Sequence, residues 1–122
     1  ERYNWQHTTP STLQPLVIVL RDDDGNIKGG LTGGSYWQWC HVDILWLDES
    51  IRQHGYGTTL LHMAEKEAIR RGCVGIFLDT MSFQAPDFYL NHGYSEWGRL
   101  DDFPPGHQRI FFKKWLANGH QH

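Results

Sequence analysis

The sequence has too few cysteines for a disulfide framework. Its 122 residues include only Cys40 and Cys73, with no CxxC spacing. Long apolar runs are lacking too, because no stretch approaches the roughly 20 residues that cross a bilayer. No signal-peptide pattern is evident at its start. We therefore expect a cytoplasmic protein with no membrane partner.

A surplus of positive charge is also missing. Lys and Arg total 11 against 14 Asp and Glu, for a formal net charge of -3. Nucleic-acid binding depends on basic side chains facing phosphates, so we expect no nucleic-acid partner. The 8 histidines contain no HExxH, and we expect no metal site. What is present, 39% hydrophobic residues and 13 glycines, is typical of a globular domain.

Hydrophobic periodicity and turn residues predict one domain over residues 1–122, with a remnant at 1–14 and a core at 15–116. The predicted order is β-β-β-α-β-α-β-β. A hairpin covers 16–39, a strand 42–47, a helix 57–71, a strand 74–78, a helix 85–92, and two strands 94–100 and 107–116. This order indicates an α/β (α+β-like) sheet domain.

The most informative stretch joins strand 42–47 to the helix that follows. Residues 52–58 read RQHGYGT, and glycines at 55 and 57 let the backbone approach a ligand closely. Free N–H groups at a helix start favour an anion, to which Arg52 adds positive charge and Thr58 a hydroxyl. The alternative is a tight turn without a ligand. The stretch is neither a Walker A loop nor a GxGxxG turn.

A second motif lies at 78–94, which reads LDTMSFQAPDFYLNHGY. It matches the pattern N-x-x-A-x-x-x-Y-x-x-x-G-[FY] at Ala85, Tyr89, Gly93 and Tyr94, and it has Ser82 where Asn is usual. With R-x-x-G-x-G before a helix, the sequence resembles the GNAT superfamily of N-acetyltransferases over about residues 15–116.

The resemblance implies a mixed, mostly antiparallel sheet whose central strands splay apart, with two packed helices. It also implies acetyl-CoA as cosubstrate: amides of the turn hold the pyrophosphate, and the pantetheine arm enters the gap between the splayed strands. The expected cofactor-binding residues are Leu45, Trp46, Leu47, Arg52, Gln53, His54, Gly55, Tyr56, Gly57, Thr58 and Ser82.

Acetyl transfer to an amine needs a neutral nucleophile and a proton for the departing thiolate. Tyr89 occupies the family position of the general acid. The alternative role is that of a tyrosine that only packs in the core or at its rim. Strand alternation would place four residues on one face: His41, Asp43, Leu45 and Leu47. Either Asp43 or His41 could then accept the amine proton. The alternative is that Asp43 is a structural carboxylate and His41 an exposed histidine at the end of the strand.

Family members usually begin with a further strand and one or two helices, of which residues 1–14 would supply at most a fragment. Strand 15–21 would then have an open edge that favours a homodimer, and part of the acceptor site would be missing. The leading prediction is an enzyme that moves acetyl from acetyl-CoA to a primary amine of a small molecule. The alternatives are a non-catalytic CoA-binding or protein-interaction module on this fold, and more remotely a nucleotide-binding domain.

Overall fold

The computed structural model describes residues 12–117 and residue 119, so most of the predicted remnant at 1–14 lies outside the described residues. The described elements follow the predicted order. They are β1 (Gln14–Arg21), β2 (Ile27–Tyr36), β3 (Trp39–Leu47), α1 (Tyr56–Arg70), β4 (Gly75–Met81), α2 (Asp87–Leu90), β5 (Ser95–Asp101) and β6 (Gln108–Trp115). A short 3₁₀ helix, Glu49–Ile51, lies between β3 and α1.

The strands form one six-stranded sheet in the order β1-β2-β3-β4-β6-β5. The β3–β4 pair is parallel and the others are antiparallel. This pair is short, because Trp39–Val42 align with Gly75–Leu78 and no further. Beyond it β3 continues along β2, while β4 continues along β6. The expected mixed sheet with splayed central strands is confirmed.

Helix α1 covers one face of this sheet with a stripe of apolar side chains. The stripe recurs at helical spacing and is at most 2% exposed, at Leu60, Leu61, Ala64 and Ala68. The sheet contributes Leu31, Ile76 and Phe112, which are at most 1% exposed. Full burial of one such large side chain contributes roughly 1.5–3 kcal/mol. The apolar face of α1 therefore forms the centre of the core.

A buried polar network joins α1 to the segment after α2. The Tyr94 hydroxyl donates to Glu65 Oε2 at 2.7 Å, and Lys114 Nζ lies 3.2 Å from the same carboxylate. Lys114 also donates to the carbonyl oxygen of His92 at 3.0 Å. Burial raises the pKa of Tyr94, so its hydroxyl stays a donor. The network fixes residues 92–94 against α1.

The Arg71 side chain holds the end of α1 to the β1–β2 hairpin. Its guanidinium donates to the carbonyl oxygens of Gln14 at 3.0 Å and Pro15 at 2.9 Å. It also donates to Ser35 Oγ at 3.0 Å and pairs with Glu67 at 2.8 Å. Sequence analysis gave this arginine no role.

The predicted hairpin strand ending at Trp39 is wrong at its end. Residues Trp37 and Gln38, with φ of 50° and 67°, form a two-residue turn in which Tyr36 pairs with Trp39. Trp39 therefore begins β3. Hairpins of this kind usually carry Asn or Gly at the turn, and neither residue is present to signal it. The second helix is also shorter than the predicted 85–92, because Ala85 has a φ of 55° and α2 is Asp87–Leu90.

The prediction that His41, Asp43, Leu45 and Leu47 share one face of β3 is wrong. Gly33 of β2 aligns with Val42 while Thr32 aligns with Ile44, which leaves Asp43 as the extra residue of a β-bulge. A bulge shifts the alternation by one. A Cβ at Gly33 would collide with the carbonyl oxygen of His41, so the close approach of the strands there requires glycine.

Candidate active site

The turn after β3 is shaped by two side-chain hydrogen bonds and by two residues in the left-handed backbone conformation. Asp48 caps the 3₁₀ helix by accepting from Ser50 N at 2.9 Å. Arg52 Nε donates to the carbonyl oxygen of Leu47 at 3.2 Å and closes the turn. Gln53 and Gly55 have φ of 68° and 82°, and Gly55 is the N-cap of α1. These two left-handed residues redirect the chain from β3 into the helix.

The first amides of α1 are available to a ligand. The first backbone hydrogen bond at the helix start runs from Thr59 N to the carbonyl oxygen of Gly55 at 3.2 Å. The amides of residues 56–58 precede it and have no intrahelical partner. Together with the helix dipole, such amides favour an anion. A Cβ at Gly57 would stand 3.5 Å from Phe88 Cζ and 3.7 Å from Leu47 Cδ1, in the space beside these amides.

The Thr58 hydroxyl lies between this turn and the segment after α2. Its Oγ1 is 2.9 Å from Nε2 of His92, whose Nδ1 is 2.7 Å from the carbonyl oxygen of Phe88. Sequence analysis assigned His92 no role, because the two residues are 34 positions apart.

Two adjoining cavities open where β3 and β4 separate. The outer one, about 450 Å³ and here called the groove, is lined by Leu45, Leu47, Gln53, Gly55, Gly57, Thr58, Gln84, Ala85, Phe88 and Tyr89. The inner one, about 210 Å³ and here called the cleft, is lined by Val42, Asp43, Ile44, Leu45, Leu78, Asp79, Thr80, Gln84 and Tyr89. Leu45, Gln84 and Tyr89 line both. A continuous path therefore runs from the amides of α1 to the gap between the strands.

Beyond Val42, the edge of β3 that faces β4 is open within the described residues, because β3 there pairs with β2 alone. Its backbone groups face a gap that an extended chain could enter by strand-like hydrogen bonding. Leu45 packs against the core cluster and, like Leu47, lines the groove. Trp46 lies between them and is 41% exposed.

Tyr89 lies where the groove meets the cleft. Its ring packs against Phe88, Tyr94 and Phe112 with centroids 5.1, 5.8 and 5.8 Å away. Within the described residues its phenol oxygen has no hydrogen-bond partner. Burial raises the pKa of this phenol, so it keeps its proton at neutral pH. A positioned, protonated donor therefore faces the path.

Asp43 is exposed at the bulge and lines the cleft with Tyr89. Within the described part of the chain, its carboxylate has no hydrogen bond or ion pair. Asp79 lines the same cleft, but Arg109 Nε donates to its Oδ2 at 2.6 Å. His41 lies on the opposite sheet face from Leu45, where its ring stacks on Phe77 at 4.9 Å. The bulge thus brings Asp43, and not His41, into the cleft.

Several expected residues lie beside the path rather than on its walls. Arg52, His54 and Tyr56 are exposed in or beside the turn. The Ser82 hydroxyl accepts from Gln108 N at 3.0 Å and so joins the end of β4 to β6. Conversely, Gln84 lines both cavities and was missed: its side-chain oxygen accepts from Met81 N at 3.1 Å.

Neither cysteine is suited to act as a nucleophile. Cys40 and Cys73 are 1% and 2% exposed, and burial raises the pKa of both thiols, that of Cys40 to about 12. Among the residues that the structure describes, no group of three or more His, Cys, Asp or Glu is placed to hold a metal ion. Over the same residues, no helix is long and apolar enough to cross a membrane. A cytoplasmic location stays a prediction.

Comparison with known proteins assigns this arrangement to a family. A family model described as the acetyltransferase (GNAT) family matches residues 1–94. Blasticidin-S acetyltransferase of Streptomyces morookaense is 45% identical over 95 residues, which are 77% of this chain and 70% of that protein. The crystal structure of an acetyltransferase from Bacillus cereus is 46% identical with a TM-score of 0.83, over 87% of this chain and 76% of that one.

A more distant structure has the same fold with coenzyme A bound. It is an aminoglycoside 6'-N-acetyltransferase complexed with coenzyme A. Its TM-score is 0.76 at 18% identity, over 88% of this chain and 76% of that one.

Proposed function

The chain belongs to the GNAT acetyltransferase family, and on that premise we propose that it transfers the acetyl group of acetyl-CoA to a primary amine of a small, antibiotic-like acceptor. The observation that carries the proposal is the continuous path from the α1 amides, along the open edge of β3, to Tyr89 and Asp43. The acceptor class is supported by the relative that acts on blasticidin S.

The residues of the groove fit the pyrophosphate and pantetheine arm of acetyl-CoA. The amides of residues 56–58 precede the first hydrogen bond of α1 and can bind the pyrophosphate. Gly57 leaves room beside them that a side chain would fill. The backbone of residues 45–47, on the open edge of β3, can bind the peptide-like groups of the pantetheine arm. Acetyl-CoA would supply the activated acetyl thioester.

The side chains around the cleft fit the proton movements of acetyl transfer. Asp43 can attract an aminium group and accept its proton, which yields the neutral nucleophile. Asp43 is better placed for this than Asp79, whose carboxylate is paired with Arg109. Tyr89 keeps its proton at neutral pH and can deliver it to the departing sulfur atom. Base and acid line the same cleft, so both can act on one bound pair of substrates.

Turnover with a panel of amines tests the proposal. The purified protein would be mixed with acetyl-CoA and each amine, blasticidin S included, and free thiol would be measured over time. We expect thiol release that depends on the amine, with the acetylated amine detected by mass spectrometry. Binding of acetyl-CoA without turnover across the panel would instead favour the non-catalytic CoA-binding module.

We also propose that two copies associate through the β1 edge. Within the described residues β1 pairs with β2 on one side alone, and Val17 and Val19 are 65% and 43% exposed. An open strand edge with apolar side chains favours pairing with another strand. Light scattering of the purified protein at micromolar concentration should give the mass of a dimer. A mass of one chain at that concentration would contradict the proposal.

A further inference from the structure

His92 is held by hydrogen bonds at both ring nitrogens beside the groove. It follows α2, and its ring packs on Phe88 with centroids 4.5 Å apart. Nδ1 lies 2.7 Å from the carbonyl oxygen of Phe88, and Nε2 lies 2.9 Å from Oγ1 of Thr58. Thr58 in turn lines the groove and sits in the first turn of α1.

The chemistry of these partners fixes where the protons lie. A carbonyl oxygen can only accept, so Nδ1 must carry a hydrogen. In a neutral ring Nε2 is then an acceptor, and the Thr58 hydroxyl must donate to it. The Thr58 oxygen therefore presents only lone pairs to the groove. A pyrophosphate oxygen is also an acceptor, so the Thr58 hydroxyl cannot bind it in this state.

We propose that binding of acetyl-CoA is coupled to uptake of a proton by His92. One proton from solvent adds to Nε2, which then donates to Thr58 Oγ1. The Thr58 hydroxyl rotates, without any covalent bond breaking, and donates its hydrogen to a pyrophosphate oxygen. His92 is thus a positioning residue that acts through Thr58. The inference rests on the proposed function, because it places the pyrophosphate at the start of α1.

The charges around His92 agree with this coupling. The positive end of the α1 dipole disfavours a charged ring when no anion is bound, and a bound pyrophosphate reverses that preference. Titratable groups of the described residues that contact His92 include His62 of α1, whose ring centroid is 5.8 Å away, and Lys114 of β6, which donates to the His92 carbonyl oxygen. Lys114 is paired with Glu65, and Tyr89 of α2 stays neutral.

Binding calorimetry with dephospho-CoA measures the coupling directly. This probe keeps the pyrophosphate but lacks the 3'-phosphate, a monoester that would itself titrate near pH ~6. Titrations at the same pH in two buffers of different ionisation enthalpy give the number of protons taken up. We expect uptake of up to one proton per site. Affinity should fall with rising pH, by up to about tenfold per pH unit wherever one proton is taken up on binding.

Matched variants identify the group that takes up the proton. In His92→Gln the uptake should vanish and the affinity should no longer depend on pH. His62→Gln makes the same substitution at the neighbouring exposed ring and should behave as the wild type. Uptake that persists in His92→Gln, or that disappears in His62→Gln, would overturn the inference.

The wild-type protein allows the same test if His92→Gln does not fold. Side-chain ¹⁵N chemical shifts of His92 should report one protonated nitrogen without dephospho-CoA and two with it. Binding while the ring stays neutral would overturn this inference and leave the proposed function intact. A protein that binds no dephospho-CoA at any pH would instead overturn the proposed cofactor site, and this inference with it.

Discussion

Replacement of Tyr89 by phenylalanine separates chemistry from packing at the point where the groove meets the cleft. The substitution keeps the ring that packs against Phe88, Tyr94 and Phe112 and removes the phenol oxygen alone. That oxygen has no hydrogen-bond partner among the described residues, so its removal leaves no buried group unsatisfied. We therefore expect the free energy of unfolding to change by less than about 0.5 kcal/mol.

The effect on turnover should be far larger. Loss of a positioned general acid lowers kcat by about 10²-fold or more, which is about 2.7 kcal/mol in the activation free energy. The KM for acetyl-CoA should stay nearly constant if it reflects binding, because the groove keeps its shape. The assay is steady-state thiol release with an acceptor found in the amine panel, together with urea denaturation of both proteins.

Tyr94→Phe is the matched control, since the two rings are neighbours and the substitution is the same. The Tyr94 hydroxyl donates to the buried Glu65 carboxylate, so its loss should cost about 1–3 kcal/mol of stability. Turnover by the folded fraction should be little changed. One tyrosine thus affects rate without stability, and the other affects stability without rate.

Wild-type turnover by Tyr89→Phe would refute the assignment of Tyr89 as the acid. An equal loss of stability in the two variants would refute the conclusion that the Tyr89 oxygen faces the path without a partner.

Three other features can be tested by single measurements: the start of α1, the contacts of Arg71 and the pH dependence of kcat. Gly57→Ala should stay folded, because its Cβ would be 3.5 Å from Phe88, but the thermal stabilisation by acetyl-CoA should drop. If the affinity is tenfold weaker, the stabilisation by acetyl-CoA at 100 times the wild-type Kd falls from about 2.7 to about 1.4 kcal/mol. An unchanged shift of the melting temperature would contradict the pyrophosphate site at the start of α1. Arg71→Ala should lower the free energy of unfolding by about 2–4 kcal/mol in urea denaturation, because three hydrogen bonds and an ion pair are lost. A change below about 0.5 kcal/mol would show that the Arg71 contacts do not stabilise the protein. Burial raises the pKa of Tyr89 above its usual value of about 10, so the phenol keeps its proton to higher pH. The loss of kcat due to Tyr89 should therefore begin only above about pH 10. A decrease of kcat near neutral pH that vanishes in Tyr89→Phe would contradict this.

Local sequence patterns, which involve residues close together in the chain, were sufficient to predict much of the fold. The order of strands and helices follows from the change between period-two and helical spacing, and α1 buries an apolar stripe with that helical spacing. The turn at 52–58, RQHGYGT, can also be predicted from the sequence, since the backbone freedom of glycine and the free amides of a helix start are local properties. Tyr89 was located through the resemblance of its motif to that of the family, and its catalytic role stays a prediction.

Only the tertiary structure decided which side chains meet. The bulge at Asp43 depends on the register between β2 and β3, and it sends His41 to the opposite sheet face from Leu45, against the simple alternation. The contact between Thr58 and His92 joins residues 34 positions apart and depends on where the segment after α2 lies relative to the start of α1. Contacts of this kind are set by long-range strand pairing and packing, which leave no periodic signal in the sequence around either partner.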